Sequence, residues 1–126
     1  MEASERQLMW AVQALAQPAD VQPALFPPFV VVADELALEF DHWREVAEGS
    51  AGEQWSPGQR STVAALGQAL IAMSGPGRPA LWSEPGCLSR PEWAEIRRLA
   101  GATLIAFAWP ADRPPDGRGV YVPGRL

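Results

Sequence analysis

The residues most suited to chemistry stand in "DELALEFDHWREVAEG", residues 34–49, which holds six of the fifteen acidic side chains (Asp34, Glu35, Glu39, Asp41, Glu45 and Glu48) and the single histidine, His42. Inside it, "EFDH" is a Glu-x-x-His pattern. On a helix this spacing puts Glu39 and His42 on one side, a carboxylate beside an imidazole, as in di-iron helix bundles. Those bundles use the motif twice and add further inward-facing glutamates. With one histidine in the chain, a site of that form requires two copies meeting at an interface.

Other chemistries find less support. Zinc has only Cys87 and His42 as soft ligands where structural sites use four, and calcium wants an oxygen-rich loop bent at a glycine. No GxSxG is present, nor a Ser/His/Asp set with supporting spacing. "GPGRPALW" and "PDGRGV" pair glycine with arginine but lack the GK[ST] of a phosphate loop, so they read as turns. Cys87, the lone cysteine, lies in "SEPGCLSRP" with no neighbouring histidine to favour its thiolate and no second thiol to bridge. No cofactor is expected.

The elements that must position these residues follow from periodicity and punctuation. Leu8, Val12 and Leu15 mark the buried stripe of a first helix near 4–17, with Ser4 as a cap and Pro18 as a stop. In the second, Phe29, Val32, Leu36, Phe40, Trp43 and Ala47 step by three or four, which predicts one helix from about 28 to 48, ended by Gly49. The Val30-Val31-Val32 run supports an alternative, a strand at 29–33 followed by a shorter helix. Ser56, Pro57 and Gln59 form the start of a third helix near 57–74, whose buried face is Val63, Leu66, Leu70 and Met73. Leu81 and Trp82 pin the loop that follows. A fourth helix near 90–109 opens on "SRPE" with Ser89 as N-cap, and its uncharged stretch from Leu99 to Trp109 reads as buried on all sides. The tail, 111–126, is rich in proline and glycine, with "VYV" as its one possible edge strand. The expected architecture is an all-α single domain, a four-helix bundle or orthogonal helical array over residues 1–110 with an irregular C-terminal tail.

A helical wheel for 34–49 gathers Leu36, Phe40, Trp43 and Ala47 on one side and spreads Asp34, Glu35, Asp41, His42 and Glu45 over the other. Leu38 lies among those acids, one heptad after Val31. An apolar pair rimmed by charge has the composition of a partner-binding face. The alternative is that the second helix is sandwiched and packs on both sides within one molecule.

Charge is divided along the chain. Residues 1–55 carry ten acids against Arg6 and Arg44, a balance of −8, while residues 56–126 carry five acids against eight arginines, a balance of +3. Arg90, Arg97 and Arg98 form a small basic patch, expected to pair with the acidic helix. The overall charge of −5 and the scattered arginines argue against nucleic-acid binding. All ten basic residues are arginine, a bias that resembles GC-rich bacterial coding. No run of eighteen uncharged apolar residues occurs, and "MEASERQLMW" lacks the basic start of a signal peptide, so a soluble cytoplasmic protein with no membrane role is expected.

The leading expectation is a small acidic, non-catalytic protein-binding module: an inhibitor, immunity-type protein or adaptor that covers a basic partner surface, or a face for self-association. Its candidate residues are Val31, Asp34, Glu35, Leu38, Asp41, His42 and Glu45. Two alternatives stand beside it. One is a metal- or carboxylate-dependent enzyme using Glu39 and His42 at a dimer interface, and the other is a helical domain that binds a small ligand.

Overall fold

A computed structural model describes residues 1–115. The chain is all-α: α1 (Ala3–Ala16), α2 (Val32–Ala51), α3 (Pro57–Ala72), the single turn α4 (Ala80–Ser83) and α5 (Pro91–Phe107), with short 3₁₀ turns at Gln22–Leu25, Gly52–Gln54 and Cys87–Ser89. The "VYV" segment lies outside the described residues.

Local sequence explains most of these boundaries. The α1 stripe of Leu8, Val12 and Leu15 is wholly buried. Past its end, the buried Gln22 side chain donates to the Ala14 and Leu15 carbonyls at 3.1 and 3.2 Å, joining the Gln17 N–H at the first and satisfying the second. The α3 start is a complete capping box. The Gln59 N–H donates to Ser56 Oγ at 3.1 Å, and the Ser56 N–H donates to Gln59 Oε1 at 2.8 Å. Ser56→Ala is therefore expected to cost about 1 kcal/mol, read as a lower denaturant midpoint with an unchanged slope.

The second helix departs from both sequence readings. Residues 27–31 form a turn that is neither strand nor helix, and α2 starts at Val32. Pro28 bars the preceding residue from helical geometry and Phe29 ends up exposed, so the apparent stripe ran through residues that never join it. At the other end α2 passes Gly49 and stops after Ala51. Ala47 and Ala51 continue the buried stripe, and Ser50 Oγ ties the last turn to the Val46 carbonyl at 3.1 Å.

Two expected caps also move. Ser4 lies inside α1, where its hydroxyl meets Ser50 Oγ at 2.9 Å and joins the amino end of α1 to the carboxyl end of α2. Ser89 closes a 3₁₀ turn instead of capping α5, whose N-cap is Arg90 followed by Pro91 at the first helical position.

Packing follows from the stripes. α1 lies against α2 and α5, and α5 against α1 and α3, so α1 and α5 form the middle of the array with α2 and α3 as its flanks. Leu8, Val12, Leu36, Phe40, Leu66, Trp93, Ile96 and Leu104 belong to one core cluster. Trp93 is the largest wholly buried side chain, with Nε1 donating to the Leu81 carbonyl at 2.7 Å and its ring edge-on to Trp82 at 5.3 Å. That contact holds α4 down, as expected for Leu81 and Trp82. The expectation that α5 is covered on all sides fails: Ile105 is 82% exposed, because the outer face of α5 has no helix beyond it.

The described part of the tail is irregular but anchored. Gln13 Nε2 donates to the Pro110 carbonyl at 2.8 Å and Trp10 Nε1 to the Pro115 carbonyl at 2.9 Å.

Candidate functional site

Because α2 and α3 flank the array without packing tightly on each other, a groove opens between them. It has a volume of about 590 Å³. Phe40, Val63 and Leu70 are its buried apolar residues, and Gly67 leaves room beside them. An added Cβ at Gly67 would meet Phe40 Cε2 at 3.8 Å, an ordinary contact. Leu38 of α2 and Ile71 of α3 also line the groove, 49% and 73% exposed, and Trp82 brings α4 to it.

The two sides differ in charge. On α2, Asp41, Arg44 and Glu48 line the groove, whereas α3 contributes Ala64, Gly67, Gln68 and Ile71, followed by Ser74 just past its end, none of them charged. Arg44 pairs with Asp41 at 2.9 Å and also with Glu48. The Asp41 hydrogen bond does most to push the Arg44 pKa up, so its cation is firmly held. Asp34 and Glu45, also exposed on α2, form no salt bridge among the described residues. Partial burial, then the charge of adjacent Glu35, pushes the Asp34 carboxyl pKa up from its ordinary value.

The structure divides the sequence-derived site. Leu38, Asp34, Asp41, His42 and Glu45 are exposed on the outer side of α2, as the wheel placed them. Glu35 and Glu39 are not: they are 7% and 4% exposed, because the covered arc of α2 is wider than its apolar stripe and takes in both. Val31 precedes the helix, and with Val32 and Ala33 it lines a separate hollow of about 280 Å³ beside Gly86, Cys87 and Leu88. It makes no strip with Leu38.

The Glu-x-x-His pair separates as well, with Glu39 buried and His42 exposed and edge-on to Trp43 at 4.5 Å. Among the described residues no three His, Cys, Asp or Glu side chains gather in a metal-binding group. Cys87 is buried, and desolvation pushes its thiol pKa up, which disfavours the nucleophilic form. The ion pairs found for the basic patch among the described residues lie outside α2. Arg98 binds Glu95, Arg90 lies 3.9 Å from Glu84 and Glu92, and Arg97 donates to the Leu88 carbonyl at 2.8 Å.

Sequence reasoning missed Ile71 and Gly67. The only local signal was their offset from the Val63–Leu66–Leu70 stripe, which is how an exposed apolar residue on an amphipathic helix announces itself.

The fold and the groove together define an all-α helical array with an open apolar cleft whose charged residues all lie on its α2 side. Comparison with protein-family models, with curated proteins and with solved structures finds no match. No helix among the described residues is long and apolar enough to cross a membrane.

Proposed function

We propose that this protein is a non-catalytic protein-binding module, an inhibitor, immunity-type protein or adaptor, whose α2/α3 groove receives a basic amphipathic segment of a partner protein. The observation that carries the reading is the groove itself, apolar along its base and charged only on its α2 side, where Asp41 and Glu48 outnumber Arg44. An amphipathic helix laid in it would place apolar side chains against Leu38, Phe40 and Ile71 and lysine or arginine beside Asp41, with Asp34 and Glu45, exposed on α2 outside the groove lining, adding to the attraction. Fully covering an exposed leucine or isoleucine contributes roughly 1.5–3 kcal/mol. The carboxylates would chiefly steer the encounter and fix its direction.

The test uses a synthetic amphipathic helix of leucine and lysine. Asp34→Arg with Glu45→Arg is expected to weaken its binding at least about tenfold at low salt, while thermal melting shifts little because both side chains are exposed. Unchanged affinity in the double variant removes the acidic side from the account.

A second reading rests on the same groove, whose volume of about 590 Å³ and Phe40 and Trp82 lining would suit a small apolar ligand. Native mass spectrometry of the purified protein separates the two readings, since a retained small molecule favours the second.

A further inference from the structure

The carboxyl end of α5 and the segment after it carry an independent proposal. α5 closes with the Ala108 N–H donating to the Ile105 carbonyl at 3.0 Å and the Trp109 N–H to the Leu104 carbonyl at 2.9 Å. This cap needs residue 108 in the left-handed region, and Ala108 sits there at φ 55° and ψ 35°. Glycine ordinarily fills such a position; alanine, the strongest helix former, is strained in it.

Ala108 alone is the hinge: the strap after it starts at Trp109, which is buried in the core and stacked on Phe107 at 4.3 Å, and continues into a clamp on α1. Gln13 Nε2 donates to the Pro110 carbonyl at 2.8 Å, Gln17 Nε2 to the Ala111 and Asp112 carbonyls at 3.4 Å each, and Trp10 Nε1 to the Pro115 carbonyl at 2.9 Å. The three donor residues are 5%, 7% and 8% exposed, so the clamp is built into the molecule. Each of these bonds ends on a main-chain carbonyl. Pro110, Pro114 and Pro115 have no N–H, so a clamp made of donors suits this segment.

Nothing in those bonds depends on which molecule supplies residues 110–115. A short hinge under strain, leading to contacts that form equally well within or between chains, is the condition for segment exchange. We propose that a second copy of this chain supplies the strap, giving a dimer in which residues 109–115 of each copy are exchanged, Trp109 filling the partner copy's core position and 110–115 lying in its α1 clamp. In that form Ala108 leaves the left-handed region and joins α5, the conformation alanine prefers.

Ala108 is exposed, so the hinge can be altered without disturbing the core. Ala108→Gly relaxes the closed hinge, whereas Ala108→Leu strains it further and favours helix. Sedimentation of both variants and the parent, each checked for helicity, is expected to show dimer affinity rising from glycine to alanine to leucine. The span should be at least about tenfold, because two hinges open per dimer. A second measurement identifies the exchanged element. In a Cys87→Ser background, Gln17→Cys with Asp112→Cys is treated with a short bismaleimide at high protein concentration. Exchange gives covalent dimers on a denaturing gel. A monomeric Ala108→Leu variant, or dimers that run as monomers after cross-linking, overturns the proposal.

Discussion

Trp93→Ala is expected to remove about 3–5 kcal/mol of stability, the largest loss foreseen for a single substitution in this protein. The side chain is wholly buried, so truncation leaves a cavity among the helices and the loop they support. It also removes the donor for the Leu81 carbonyl and the ring that meets Trp82 edge-on. A domain of this size has roughly 5–15 kcal/mol in total, so the variant would be marginal at room temperature. Because Trp82 lines the groove, loss of its support would also loosen one wall of the candidate site. Urea unfolding followed by circular dichroism measures the first effect. Trp93→Phe, which keeps an aromatic ring but lacks the N–H donor, is expected to cost less. A loss below about 1 kcal/mol for Trp93→Ala would contradict the packing role assigned to this residue.

Gly67→Leu is expected to separate folding from binding. In the middle of α3 a glycine weakens the helix by about 0.5–1 kcal/mol relative to a good helix former. The space above Gly67 is the groove, and the nearest neighbour of a new Cβ, Phe40 Cε2 at 3.8 Å, need not move. A leucine side chain would fill the place that an apolar anchor of a partner should occupy. Thermal stability is therefore expected to hold or rise while affinity for the basic amphipathic helix falls by about tenfold or more. An ordinary packing position would lose stability and binding together.

The sequence was most legible where structure is local. The third helix could be read from Ser56, Pro57 and Gln59, because caps and first-turn prolines act within one turn of chain. The buried faces of α1 and α3 followed from spacing alone. Misreadings began where a neighbour distant in sequence decides the outcome. Phe29 fitted the periodicity of α2, yet Pro27 and Pro28 precede it, the chain turns there, and the helix starts only at Val32. Glu35 and Glu39 looked solvated because a wheel shows where apolar residues cluster and not how far the covered arc extends. Ile105 looked central because apolar composition was taken to mean cover, but an apolar residue on an outer face is common. The groove draws residues from α2, α3 and α4, so no single segment announced it. Only Leu38, ringed by acids on the outer side of α2, pointed to it in advance.

Calorimetric titration of the leucine–lysine helix into the parent protein and into Gly67→Leu, each repeated with a leucine–glutamate counterpart of the same helix, tests the central claim most directly. The account predicts saturable binding of the lysine helix to the parent, a loss of about tenfold or more in Gly67→Leu, and no binding of the glutamate helix to either. Equal affinity of the lysine helix for the parent and for Gly67→Leu would place any interaction outside the groove and contradict it.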